Sequence, residues 1–258
     1  MKNVIFLLAA ALGVTAPTRA QTQGEPFWLI RIVQSDSGPG VDSSPVEAYR
    51  AAGSAVDVVG LRSVTGPSQL WMIEGHRSFA GVEALDKALA RAVGERRDTN
   101  GAVLPTTTLL GLYRPALSNR PDEAIKLFSG ARYFRVTVFQ TRAGADIEFA
   151  ELMQMRRFGL ESVNLDRPEI GYQVISGSSG TYVFLSPVAT LSTLDAGVAR
   201  MPAYAEDAAR SSGKAGRQAA ADALLRRESL LFRVEPRASF VSAEFAGNDA
   251  AFWRPESQ

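Results

Sequence analysis

His76 is the only histidine in this chain, and there is no cysteine. A single imidazole excludes a zinc site built on a histidine pair, and a Ser-His-Asp triad could run only through that residue. His76 stands between a run that alternates like a strand and a run that repeats like a helix, which reads as a solvated loop position. Arg31, Glu74 and Arg135 are charged residues that fall within otherwise apolar strands. Buried charges need partners, so the three read as an ion-pair network at a seam between two parts of the fold. The alternative is an anion or carboxylate site, since arginine forks match such groups. Tyr113 and Tyr172 are polar groups that an apolar pocket could hold. No catalytic constellation emerges; His76, Tyr113 and Tyr172 are the remaining candidates.

Several short motifs fail on their own geometry. Gly177-Ser178-Ser179-Gly180 lacks the G-x-S-x-G order and falls in a hairpin, not in the strand-to-helix turn that exposes a nucleophile. Asp36, Asp42 and Glu47 have the spacing of calcium-loop positions 1, 7 and 12, but Gly38 and Gly40 replace ligands and Val41 replaces the required glycine. Neither G-x-G-x-x-G nor a Walker A run occurs. The residues therefore indicate no metal and no cofactor.

These side chains need a scaffold, and periodicity supplies one. Strands are expected at 27–34, 59–65, 69–74 and 106–114, with helices at 45–55 and 80–93. The order recurs as strands at 133–140, 170–176, 181–187 and 230–235, with helices from Asp146 and from Ser192, both good N-terminal caps. Residues 203–228, rich in Ala and Arg, read as two helical pieces joined by a solvated turn. Side chains match between the copies. Trp28, Ile30, Ile32 and Gln34 match Phe134, Val136, Val138 and Gln140 at an offset of 106, and Gly60 and Gly66 match Gly171 and Gly177 at 111. Phe79, Val82 and Glu83 match Leu191, Leu194 and Asp195 at 112. Leu109-Leu110, Pro115 and Ser118 match Leu230-Leu231, Pro236 and Ser239 at 121.

The fold class that follows is α+β: two tandem ferredoxin-like β-α-β-β-α-β repeats, at 21–118 and 132–246. A connector at 119–131 joins them, and a tail at 247–258 carries Trp253, expected to seal a gap. Two helices cover one face of a four-stranded sheet, so the bare faces must cover each other. The repeats are expected to pack sheet to sheet as an intramolecular α/β barrel with helices outside. Ile30, Ile32, Phe134, Val136, Val138 and Trp71 are assigned to the faces under the helices, and Arg31, Glu74 and Arg135 to the opposite faces.

Residues 1–20 read as a secretory signal peptide. Lys2 supplies the positive start, residues 4–14 are an apolar run, and Thr18-Arg19-Ala20 offers small residues before Gln21. That run is well short of the roughly 20 residues needed to span a bilayer. Without cysteine there can be no lipidated cysteine and no disulfide. The expected product is exported, periplasmic or secreted, and not a lipoprotein. Removing Lys2 and Arg19 takes the formal charge from +1 to −1. A nearly neutral chain gives no reason to invoke nucleic acid or an anionic membrane, and no later stretch is apolar enough to span.

The element order and the two LL-x4-P-x2-S segments, Leu109 to Ser118 and Leu230 to Ser239, resemble the dimeric α/β-barrel superfamily. That superfamily includes antibiotic-biosynthesis-type monooxygenases, haem-degrading monooxygenases and NIPSNAP-like proteins. With its tandem copies and signal peptide, the chain is similar to an exported bacterial family of that fold. The resemblance implies a pocket between the sheet and helices of each copy. It also implies that haem, if bound, would be ligated by His76, since a helix histidine serves in the haem-degrading members. The expected function is non-catalytic binding of a small apolar or amphipathic ligand in that pocket, by a monomeric chain that forms an internal pseudo-dimer. The alternatives are an envelope scaffold or partner-binding module, and a cofactor-independent or haem-linked monooxygenase.

Overall fold

Eight antiparallel strands close into one barrel in the computed structural model of the chain. The structure describes residues 26–36, 44–94, 106–165, 167–211, 218 and 222–254; the expected signal peptide and Asp42 lie outside them. In chain order the elements are β1 (Leu29–Asp36), α1 (Ser44–Ala51), β2 (Val58–Ser63), β3 (Gln69–His76), α2 (Phe79–Gly94) and β4 (Thr106–Tyr113). Then come α3 (Pro121–Phe128), β5 (Tyr133–Thr141), α4 (Asp146–Ser162), β6 (Ile170–Ser176), β7 (Thr181–Val188), α5 (Ser192–Ser211) and β8 (Leu224–Val234). No described helix is long and apolar enough to cross a membrane.

Around the barrel the strands run β1-β3-β2-β8-β5-β7-β6-β4. The halves do not stack as two separate sheets. Instead β2 pairs with β8 and β4 with β6, so each half is hydrogen-bonded to the other at both edges. This closure leaves no unpaired strand edge, which two stacked sheets would have kept.

Strand pairing corrects one sequence match. Ile32 lies opposite Ile73 and Leu109, while Val136 lies opposite Leu185 and Leu230. Val136, not Val138, therefore stands where Ile32 stands, and the opening strands correspond at an offset of 104 rather than 106. Alternating apolar strands permit a slip of two residues without changing the face pattern. On this register Arg31 corresponds to Arg135, and Gln34 to Val138.

The assignment of faces is also reversed. Ile30, Ile32, Trp71, Phe134, Val136, Val183, Leu185 and Phe232 join one buried cluster drawn from the strands of both halves, inside the barrel. Leu70 and Met72 pack instead with Val46 and Tyr49 of α1 and Leu85 of α2. In the second half, Phe139, Tyr182 and Phe184 pack with Phe149 and Met153 of α4. The physical reason is the closed interior. Strand side chains alone must fill it, so it takes the apolar set, whereas a layer with helix side chains can supply partners for charge. Arg31 and Glu74 consequently lie under the helices, and Arg135 shares the helix-facing parity of Phe139.

Three local expectations also change. β8 begins at Leu224, so residues 224–228 are strand rather than helix, because their ladder with β5 overrides the helical propensity of Leu and Arg. The connector contains α3, whose signals were Pro121 in the first turn and the acidic pair Asp122 and Glu123. His76 ends β3 and is buried, not a solvated loop residue. Trp253 is 2 % exposed, and its indole N–H donates to the Ser129 carbonyl at 2.7 Å.

The two P-x-x-S segments act as reciprocal clasps. Ser118 Oγ accepts the Gly171 amide at 3.0 Å, and Ser239 Oγ accepts the Gly60 amide at 2.9 Å. Each hydroxyl also donates back to a carbonyl four residues earlier, on Arg114 or Glu235. A β-carbon at Gly60 would lie 2.4 Å from the Ala238 carbonyl oxygen, so only glycine lets the clasp come this close. Ser239→Ala would strand a buried amide and is expected to cost about 1–3 kcal/mol. Ser118→Ala should cost a similar amount. Urea denaturation of both variants checks this, and an unchanged midpoint in either would contradict the clasp.

Candidate functional site: the open end of the barrel

Among the described residues the barrel interior is stopped at one end and open at the other. At the end carrying Phe134 and Val234, the buried cluster continues into Ala124 and Ala131 of the connector, Ala246 just before the tail and Trp253 within it. Phe128 meets Phe134 edge-on at 5.0 Å there. At the opposite end, beside the β2–β3 and β6–β7 hairpins, a cavity of about 350 Å³ opens. This is the lower part of the range for small-molecule sites, roughly 300–1,000 Å³.

Apolar side chains form the floor: Trp71, Leu109, Val138 and Leu230. Around them stand Gln34, Gln69, Gln140, Thr107 and Thr181, with Arg226 and Glu228 as the charged residues. Register explains the placing. Gln34 lies between Trp71 and Thr107 on the neighbouring strands, and Gln140 between Thr181 and Arg226. The Trp71 indole is held by its N–H donating to Gln69 Oε1 at 3.0 Å and by Phe232, 4.9 Å away centroid to centroid. Arg226 and Glu228 pair with each other at 2.9 Å. The arrangement can hold a small molecule with an apolar body and a hydrogen-bonding end. It offers no paired nucleophile and base.

The residues singled out from sequence lie elsewhere. Arg31 and Glu74 face each other across β1 and β3, with Arg31 Nε donating to Glu74 Oε2 at 2.7 Å. Tyr49 of α1 donates to Glu74 Oε1 at 2.5 Å, and His76 Nε2 meets Oε2 at 2.8 Å. Arg31 also bonds Asp86 of α2. Burial alone would raise the Glu74 carboxyl, but hydrogen bonds from His76, Arg31 and Tyr49, with the Arg31 charge, hold it below the usual carboxylate range. Burial first, and then the Glu74 carboxylate, push the Tyr49 phenol upward. All five groups belong to the first half. The network ties helices to their own sheet, while docking of the halves rests on strand pairing and the serine clasps.

The second half has a separate buried carboxylate. Glu169 takes both guanidinium nitrogens of Arg156 from α4 and accepts from Ser186 at 3.2 Å. Arg135 lies opposite Ser186 and is half-buried. Tyr172 is inside the barrel, with Tyr113 beside it at 6.0 Å between ring centroids. His76 points to the other face of the sheet, so the three candidates do not share a pocket. Burial pushes both tyrosines above their ordinary value.

His76 does not fit a haem ligand. Its side chain is fully buried, Nε2 is engaged by Glu74, and Nδ1 is enclosed without a partner near the first turn of α2, where a β-carbon on Gly81 would come within 3.8 Å. Among the described residues no group of three His, Cys, Asp or Glu side chains is placed to hold a metal. The spaces between sheet and helices, where a pocket was expected, hold the aliphatic and aromatic clusters around Leu85 and Phe149. A second cleft, of about 340 Å³, lies outside the barrel between Arg142, Asp146, Gln173 and the β6–β7 hairpin.

Sequence reasoning missed the mouth because it placed Trp71 under the helices. The available signal was Gln34, a polar residue ending the inward set of an apolar strand.

No protein-family model and no curated protein sequence matches the chain. Among solved structures, a proposed monooxygenase from Fusobacterium nucleatum subsp. nucleatum is similar over 80 % of this chain and 92 % of its own, at 10 % identity and a TM-score of 0.50. A proposed monooxygenase from Lactobacillus acidophilus covers 83 % of this chain and 98 % of its own, at 9 % identity and 0.49. A variant chlorite dismutase from Candidatus Nitrospira defluvii covers 87 % and 96 %, at 13 % identity and 0.47. At such identities a likeness speaks for architecture only. The chain has a ferredoxin-like α/β-barrel fold, as the Fusobacterium protein does.

Proposed function

We propose that this is an exported, non-catalytic binding protein whose barrel mouth holds a small amphipathic molecule. The observation that carries the reading is the cavity, with an apolar floor and a rim of hydrogen-bonding side chains that are neutral apart from the Arg226–Glu228 pair. The ligand site expected between sheet and helices moves to the barrel interior, for the reason that reversed the faces. Reciprocal clasps and equivalent strand pairing support a chain made of one β-α-β-β-α-β unit written twice. The duplicated unit then serves as its own dimer partner. The names of the structural neighbours suit a monooxygenase by analogy alone, and no observation at the mouth favours one.

One preparation tests export and binding together. Protein purified from the periplasmic fraction should begin at Gln21 and should raise the fluorescence of N-phenyl-1-naphthylamine, a neutral apolar dye, saturably. Val138→Phe, which occupies the floor and displaces the dye, is expected to weaken that titration by about tenfold or more, about 1.4 kcal/mol. Equal binding by a folded Val138→Phe variant would refute the mouth as the site. A product confined to the cytoplasmic fraction and still beginning at Met1 would refute export.

A further inference from the structure

The mouth departs from its own internal symmetry, and that departure specifies a ligand. At corresponding positions Gln34 faces Val138, Gln69 faces Thr181, and Thr107 faces Glu228, whereas Leu109 and Leu230 agree. Of the floor only Leu109 and Leu230 are kept, Val138 stands where the first half has Gln34, and the polar rim differs between the halves. A ligand in such a mouth is oriented rather than free to turn.

Hydrogen-bond chemistry specifies what the rim can hold. The Trp71 indole can only donate, so Gln69 must present its oxygen to it, and that contact is 3.0 Å. The Gln69 NH2 group is then left as the donor beside the floor, suited to a carbonyl on the ligand. Gln34, Gln140 and Thr107 can each both donate and accept. Arg226 and Glu228 pair with each other at 2.9 Å on the exposed lip of the mouth. A ligand head with net charge would have to leave water against the apolar floor, where the charged groups of the described lining, Arg226 and Glu228, already engage each other, which is costly. An uncharged head loses less and gains the amide contacts.

We propose that the mouth selects an uncharged amide-type head, a carboxamide or lactam, on a flat apolar body resting against Trp71, Leu109 and Leu230. This rests on the mouth being the binding site, and it names the class of molecule taken there.

Benzamide, benzoate and toluene share a ring and differ in the head, so they form a test set. The readout is the Trp71 indole N–H signal in a nitrogen–proton correlation spectrum, assigned by its loss in Trp71→Phe. Benzamide should move that signal saturably, with benzoate and toluene each weaker by about tenfold, the scale of one unsatisfied polar group. In Gln69→Leu the advantage of benzamide over toluene should shrink by a similar factor. Since the comparison of heads uses the unaltered protein, it stands even if the variant misfolds. Benzoate or toluene moving the signal as well as benzamide would overturn the amide class and leave the mouth reading intact. No shift from any of the three would overturn the amide class, and the dye titration with Val138→Phe then decides separately whether the mouth binds apolar molecules.

Discussion

Glu74→Ala is expected to lower the unfolding free energy by about 3–5 kcal/mol, the loss typical of breaking a buried ion pair from one side. Glu74 is fully buried and joins β3 to β1 through Arg31, to α1 through Tyr49 and to its own strand end through His76. Without it, Arg31 keeps only Asp86, while a buried phenol and a buried imidazole lose their acceptor. Glu74→Gln should lose less, because the amide oxygen still accepts from Tyr49 while the charge facing Arg31 is gone. Urea midpoints for the two variants and the parent check the order. A parent-like midpoint in Glu74→Ala would show that the network contributes nothing net.

The same carboxyl sets a pH dependence. Its folded pKa lies below its unfolded one, so its stabilisation is fully present above the unfolded value of about 4.3 and is lost as pH falls through the folded value. Acidification below about pH 4–5 should therefore erode the parent more steeply than Glu74→Gln, narrowing the gap between their midpoints.

Phe149→Ala is the second large effect, also about 3–5 kcal/mol. Phe149 is fully buried on α4, 4.2 Å from the Tyr182 ring and 5.3 Å from Phe139 between centroids, with Phe184 at 6.3 Å. Truncation leaves a hole among rings that are fixed on two paired strands, β5 and β7, and cannot collapse into it. A drop in Tm of roughly ten degrees is expected for a chain of this size. Phe158→Ala on the same helix is the control, since its ring is 58 % exposed and its loss should stay within about 0.5 kcal/mol. Similar losses from both would mean that α4 is not anchored through this cluster.

These two residues also mark the limit of what pattern could reveal. Phe149 was legible as part of an apolar helix face, because a period of 3.6 names the buried stripe whatever that stripe packs against. Glu74 was legible as a charge within a strand that needs a partner, with Arg31 and Arg135 as the candidates. The site itself was not legible. Gln34, Gln69 and Gln140 carry no motif, and their strands are distant in sequence and meet only when the barrel closes.

Local spacing determined the strands, most of the helices, the β-α-β-β-α-β order and the identity of the apolar face on each strand. These depend on neighbours within a few residues, and the periods of 2 and 3.6 record them directly. Which apolar face turned inward was decided only by closure, since an alternating strand presents the same pattern from either side. The two-residue slip between halves, the edge-to-edge seams and the mouth between Trp71 and Gln140 follow from that closure. Each is a relation between strands, and a single strand's alternation carries no information about it.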